Sequence, residues 1–586
     1  MNQFISQLFE EGRRIKRGLK NLRFFKFANF LAVLKALNRN ERLALLILAV
    51  VLVADLATMG VRFYVRNTVS VAAFGADYTE GEVGFPEFIN PLLAQTQTDK
   101  DLTALVYAGL FKFDGQNHLI PDLATDQPQF SSDEKTFSVK LRPNLKWSDG
   151  QPLNADDVVF TVQTLQDPAF KSPLRSQWAS VTVQKIDDQT IQFKSKSVSA
   201  PFLTNLVLGI LPKHIWSNVS ADQFTVKRLN LQPVGSGPYF VKEIRNSGSG
   251  ELQSMTFESY SNYWAGKPYI DNIKVNFYEN YDDALLALHS KEIQGFGFIP
   301  FDTKVNVDPK TTLQVSKLPV YEYQAVFFNL SRSHAVLGDP TVRTALAQSV
   351  DRQKIIDDVY QGLALPDYGP IMPGQIGYNP DIEKINGLNL DAAKAALDKA
   401  GWVVDNSTGI RHKGNSALAF TITTSDFALN QKTAEALRDQ WRTIGADVQV
   451  QSIANRDIEK QTIRPRNYDA LLFAESTGAD PDPFVFWHSS QANDPGFNLA
   501  QYKNTAADSV ISDAHNTFDP AVRTKDYQDF QTIFAADEPA VFIDQSVFVY
   551  ELTPEIKGVQ LQALANPEDR FYDIVHWYIS TKRVFK

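Results

Sequence analysis

Hydrophobic and polar positions change period several times along this chain, and each change marks an element. From Leu43 to Val61, "LALLILAVVLVADLATMGV", no polar face exists: nineteen residues carry one charge, Asp55. That predicts a helix nearly long enough to cross a hydrocarbon core. Upstream, "FFKFANFLAVLKALNR" repeats apolar residues at helical spacing with Lys and Arg between them, the pattern of a helix lying on a membrane surface. A disordered basic tail is the plainer reading of that arm. From about Val69, short β-branched or aromatic runs alternate with amphipathic helices, as in α/β proteins.

Local signals set many of the boundaries. "TFSVKLRPNLKWSDG" predicts a strand, a turn at Pro143-Asn144 and a second short strand. "NADDVVFTVQTLQDP" predicts a helix capped by Asn154, with acids in its first turn and a stop at Pro168. "DDALLALHSKEI" predicts a helix that buries Leu285, Leu286 and Leu288 and is broken by "QGFGFIP". "DPTVRTALAQSVDRQKIIDDVY" predicts two helices with Asp351 capping the second, and "NLDAAKAALDKAGW" a helix ending at Gly401. "LAFTITTS", "NQKTAEALRDQWRTIG" and "ADVQVQSI" form a βαβ unit, hence a parallel pair with a right-handed crossover. "VGSGPYF" contains Gly-x-Gly, but Pro238 follows and no helix opens there, so it reads as a tight turn entering a strand.

Composition narrows the function. At 586 residues the chain exceeds one core. It has no cysteine, which excludes disulfides, thiolate metal sites, cysteine nucleophiles and lipidated-cysteine anchors. Any tether must therefore be polypeptide. The eight histidines are scattered without ligand spacing and no Gly-x-Ser-x-Gly elbow occurs, so neither a metal nor a cofactor is expected. The first 42 residues hold ten Lys or Arg against three Glu, a net +7, which leaves −16 for the rest of a chain of net charge −9. An acidic body excludes a nucleic-acid partner. Positive charge ahead of the apolar run places the N-terminus in the cytoplasm and the body outside, as a single-pass protein of the cell membrane. A cleaved signal peptide is the competing reading: Leu43 to Ala54 has the length of its apolar core, although no small-x-small cleavage site follows.

The candidate chemistry sits in "STGADPDPFVFW", residues 476–487, where Asp480 and Asp482 stand among Phe473, Phe484, Phe486 and Trp487. Apolar walls with a few placed charges describe a ligand cleft. A proline-stiffened turn whose acids cap nearby backbone is the structural alternative. A hydrolase using the two carboxylates is the catalytic one, against which side chains two apart seldom flank a scissile bond.

Several stretches taken together resemble the solute-binding proteins of bacterial peptide importers, family 5, over nearly everything from Phe74 to the C-terminus. They are "FSVKLRPNLKWSDGQPLNADDVVFTVQTLQDP", "INPLL", "YAGLFKFD" with "LIPDLATD", "GSGPYF", "NYWAGKPYIDNIKVNFY", "DPTVRTALAQSVDRQKII" and "ADPDPFVFW". The resemblance implies a three-lobed type II periplasmic-binding-protein fold, α/β, without catalysis, closing over a short peptide for a partner ABC permease. The implied lobes are residues 63–112, 234–320 and 541–586 (lobe I), 113–233 (lobe II) and 321–540 (lobe III), after a cytoplasmic arm 1–42 and an anchor 43–62; the expected state is a monomer. It also implies that Asp480, after Ala479, meets the peptide's α-ammonium, with Asp482 as substitute because Pro481 follows Asp480 directly. Thr477 and Gly478 would pair with peptide backbone, as would Gln95, Thr96 and Gln97 across the cleft. Thr477 stands where the family often has Trp, which leaves sugars, opines and chelated nickel as alternative ligands. A signalling or adhesion scaffold is a further alternative. Arg464 and Arg466 offer a partner for a ligand carboxylate, or simply a solvated loop.

Overall fold

The computed structural model describes residues 37–298, 312–331 and 336–586. Most of the basic arm, residues 1–36, and with it most of the segment expected to form a surface helix, lies outside these residues. The chain divides into two units.

In the first unit, helix α1 (Arg39–Asn67) opens with a reciprocal cap between Asn38 and Glu41 and buries none of its side chains. Its 29 residues span about 43 Å, more than the hydrocarbon thickness of a bilayer. The expected boundary at residue 62 falls inside this helix. Strand β1 (Thr68–Ala72) follows and pairs antiparallel with the C-terminal strand, Thr68 opposite Phe585.

The second unit, residues 73–580, is built on one long sheet and a smaller one. In chain order its main elements are β2 (Asp77–Val83), α2 (Gln97–Val106), β3 (Tyr239–Asn246), β4 (Leu252–Ser259), β5 (Asn272–Tyr278), β6 (Gly295–Phe298), β7 (Gln314–Phe328) and β8 (Ala364–Pro366). Then come β9 (Ala419–Ser425), α3 (Ala428–Arg442), β10 (Asp447–Ile453), β11 (Ala470–Ser476), α4 (Pro483–Trp487), α5 (Thr505–His515), α6 (Pro520–Asp537) and β12 (Ala540–Leu552). The long sheet runs β10-β9-β11-β7-β12-β6-β2-β5-β4-β3, with β8 beside β12. A separate four-stranded sheet, centred on Thr136–Lys140 and Thr190–Ser195, falls within the residues expected to form lobe II.

β7 and β12 stand at the middle of the long sheet, where the expected lobes I and III would meet. The C-terminal half of β7 pairs with β11, whereas the C-terminal half of β12 pairs with β6. Their mutual ladder loses register between Pro319 and Tyr323, so that Val320 to Glu322 stand against Ser546. Bulges of this kind weaken pairing and increase twist. The Gln545 amide donates to Val320 O at 3.0 Å, replacing part of the broken ladder.

Alternation sorts β7 between two cores of lobe III. Val326 and Phe328 face one, with Trp441 and Leu437 of α3; Tyr321, Tyr323, Ala325 and Phe327 face the other, with Phe530 and Phe534 of α6. Lobes I and II share a core around Trp147, Trp216 and Trp577.

Local expectations hold where a cap fixes them. Asn154 and Asp157 form a reciprocal cap on Ala155–Gln166, Asp351 accepts from Lys354 N, and Gly401 adopts φ +85° after Leu390–Lys399. β9 and β10 are parallel across α3. The "VGSGPYF" turn is tight because a Cβ on Gly235 would lie 2.0 Å from Val106 O. Two expectations are corrected. Leu286 is exposed, and Ala284 and Ala287 join Leu285 and Leu288 on the buried face of Tyr281–His289. "GFGF" is β6, an interior strand of the sheet, and its glycines make room: a Cβ on Gly295 would strike Tyr78 and one on Gly297 would strike Phe548.

Candidate functional site

The end of β11 is the best-built surface among the expected site residues. Thr477 N donates to Tyr321 O at 2.9 Å, and the buried Gln375 amide donates to both Thr477 Oγ1 and Gly478 O at 2.8 Å. Gly478 has φ +69°, and a Cβ there would meet nothing within 4 Å. A left-handed glycine thus leaves a braced segment of backbone open on one side.

Asp480 and Asp482, in contrast, already have partners within the fold. Arg523 of α6 places Nη2 2.7 Å from each Asp480 oxygen. The same guanidinium donates to Ala514 O at 3.2 Å and Tyr527 Oη at 2.9 Å. The two side chains are only 11% and 9% exposed. Burial raises the Asp480 pKa, Arg523 draws it back, and Asp482 adds repulsion. Asp482 Oδ1 lies 3.0 Å from His515 Nδ1 of α5, and its backbone N–H donates to Asp480 Oδ1 at 3.2 Å in a turn with φ +24°. The acids therefore serve in the first instance to tie "ADPDP" to α5 and α6.

The other expected residues separate. Trp487 is 1% exposed and stacks on Phe327, so it is core and not a cleft wall; Ala479 packs half-buried against the same core. Arg464 is exposed and pairs with Glu459 at 2.7 Å, the solvated alternative. Arg466 is buried and donates to the carbonyls of Ile463 and Gly496, which fixes a loop.

On the lobe I side, Gln95, Thr96 and Gln97 are exposed at the start of α2. Thr96 caps that helix by accepting from Asp99 N. The Gln97 amide donates to Asp101 at 2.7 Å and Glu568 at 3.1 Å. Asp101 leads to a feature the sequence did not disclose, a buried Arg570 that meets Asp101 at 2.9 Å, Glu82 at 2.7 Å and Glu80 at 3.1 Å. Three carboxylates on one guanidinium fix α2 against β2. Beside this network is a cavity of about 450 Å³, lined on α2 by Lys100 and Thr103 and elsewhere by Tyr107, Trp178, Leu208 and Glu568. Its volume and mixed lining suit an organic ligand. Among the described residues no group of His, Asp or Glu is arranged to hold a metal ion.

Comparison with known proteins agrees with this architecture. Over 546 residues the chain is 26% identical to the oligopeptide-binding protein AppA of Bacillus subtilis, covering 92% of this chain and 97% of the relative. It is 25% identical over 508 residues to the dipeptide-binding protein of Escherichia coli, covering 82% and 91%. The solved structure of the B. subtilis AppA with a nonapeptide superposes with a TM-score of 0.64 at 27% identity, over 87% of this chain and all of that one. Residues 118–497 match the model for the middle region of the bacterial extracellular solute-binding proteins, family 5, and the chain belongs to that family.

Proposed function

We propose that this chain is a membrane-anchored, extracytoplasmic substrate-binding protein that captures short peptides between hinged lobes and hands them to the permease of an ABC importer. The observation that carries the reading is the joint. Lobes I and III are connected through β7 and β12, and the ladder between those strands loses register twice in close succession, between Pro319 and Tyr323 and again between Gln324 and Ala325. A fold with this break can bend without losing either core. The open backbone at Thr477–Gly478 offers sequence-independent pairing to a peptide, which must recover hydrogen bonds for every N–H and C=O it buries. Similarity over almost the whole length to an oligopeptide-binding protein supports the ligand class. The apolar, fully exposed α1 supports an anchor, with the preceding basic arm on the cytoplasmic side.

We read no catalytic step into the site, because the carboxylates a hydrolase would use are held by Arg523 and His515. The test is to extract the full chain from membranes in mild detergent, release its ligand with acid and identify it by mass spectrometry. Intact short peptides, returned unchanged after incubation, are the expected result. A sugar, an opine or a metal chelate in their place, or cleavage of added peptides, would overturn it.

A further inference from the structure

Several buried acids among the described residues lie beside a basic side chain. Glu80, Glu82 and Asp101 surround Arg570, Asp480 has Arg523, Asp482 has the imidazole of His515, and the charges of Arg352 and Arg343 act on Glu538. Two acids at the joint are different. Glu322 of β7 and Asp544 of β12 both line a second cavity, of about 220 Å³, in which no lining residue among those described is basic. Asp544 is 2% exposed and its Oδ2 makes no hydrogen bond. Glu322 accepts only the neutral Ser546 hydroxyl, at 2.9 Å.

The rest of the cavity wall is neutral, and the Tyr360 hydroxyl near Asp544 is shared with Gln324 and Thr433. Tyr360 donates to Gln324 Oε1 at 2.9 Å, the Gln324 amide to Asn430 Oδ1 at 2.9 Å, and the Asn430 amide to Ser425 Oγ at 2.8 Å. The cavity reaches the carboxyl end of β9 at Ser425, where ligands bind in α/β sheets, and runs along the middle of β11 at Phe473 and Ala474. It also adjoins the open backbone, because Glu322 is the register partner of Ser476, the residue before Thr477. A carboxylate pair held in a cleft without a cation is completed by a ligand that brings one.

We propose that Glu322 and Asp544 form the cation subsite of the ligand cleft, receiving an alkylammonium group of the peptide beside the strand end at Thr477–Gly478. This rests on the peptide-binding reading and replaces Asp480 and Asp482 in the role the sequence suggested for them. The ammonium donates to Glu322 and Asp544 together, and the neutral Gln324–Asn430–Ser425 chain supplies shape without competing charge. An ammonium can come from the peptide's amino terminus or from a lysine side chain.

The experiment uses the full chain in detergent, stripped of ligand, and three mixed pools of tetra- to hexapeptides. One has free amino termini and no lysine or arginine, the second is the same pool N-acetylated, and the third is N-acetylated with one lysine. Retention is measured by equilibrium dialysis and mass spectrometry for wild type, Glu322→Gln, Asp544→Asn and Asp480→Asn, each checked for a cooperative thermal transition. Wild type should retain the first pool at least about tenfold better than the second. That preference should vanish in Glu322→Gln and in Asp544→Asn and persist in Asp480→Asn. Retention of the third pool alone, lost in the same two variants, supports the subsite with lysine as the source. Because Glu322 is partly exposed, its variant tests the proposal even if Asp544→Asn fails to fold. Equal retention of all pools by wild type, or a preference untouched by Glu322→Gln, overturns the subsite and leaves the peptide reading standing. Retention of no pool overturns both.

Discussion

Asp480→Asn separates a structural from a ligand-binding role for the Asp480–Arg523 pair. The substitution preserves shape and removes one charge from a pair whose members are 11% and 9% exposed. Arg523 then keeps only Ala514 O, Tyr527 Oη and a neutral amide as partners. Breaking one side of a buried pair costs about 3–5 kcal/mol because the remaining charge stays desolvated; since the asparagine oxygen still accepts a bond, the lower end, about 3 kcal/mol, applies. For a lobe of this size that corresponds to a fall of roughly 6–12 °C in melting temperature. Asp480→Leu with Arg523→Met removes both charges and should recover most of the loss, since apolar replacement of a buried pair is close to neutral. Scanning calorimetry of the full chain measures all three. If Asp480→Asn melts within about 2 °C of wild type yet loses peptides with a free amine, the pair opens to receive ligand and the structural role assigned to it is wrong.

Arg570→Met should prevent folding of lobe I or lower its melting temperature by more than Asp480→Asn does, since three carboxylates lose one shared guanidinium; yield and calorimetry decide. Burial raises the Glu475 pKa to about 8, opposed by the Tyr323 hydroxyl and by Arg466. The folded state therefore holds a proton there that the unfolded state releases near the ordinary carboxylate value. Its contribution is fully present at acid pH and is lost as pH rises through about 8, so Glu475→Gln should flatten the decline in melting temperature between pH 6 and pH 9, and an unchanged pH profile would refute the assignment. Asp544 is likewise raised to about 8 by burial, opposed by Tyr360 and reinforced by Asp367 and Glu322. Binding of a free-amine peptide at pH 7 should thus release a proton, visible as a binding enthalpy that changes with the ionisation enthalpy of the buffer; identical enthalpies in Tris and phosphate would contradict it. The full chain should stay with membranes after an alkaline carbonate wash, and its appearance in the wash would remove the anchor.

What the sequence disclosed, and what it withheld, follows the range of the interactions that decide each feature. Asn154, Asp351 and Gly401 act within one turn of their own helices, and the βαβ unit from Ala419 to Ile453 is set by adjacent patterning, so each could be read directly. Whether a carboxylate is free depends on partners far along the chain. Arg523 reaches Asp480 from 43 residues away and His515 reaches Asp482 from 33, and nothing near "ADPDP" announces either. The acids of that motif therefore come with partners that local sequence does not show. A signal for the other pair was present: "VYEYQAVFF" and "AVFIDQSVFVY" each set an acid inside a strand otherwise fit for burial on both faces. Burial is costly for such an acid unless the fold or a ligand supplies its partner. In β7 and β12 the described residues supply Ser546 to Glu322 and no cation to either acid, and both lie where the ladder loses register. A ligand cation bound there would bridge the two strands on which the lobes turn, so that recognition and closure would draw on the same interaction.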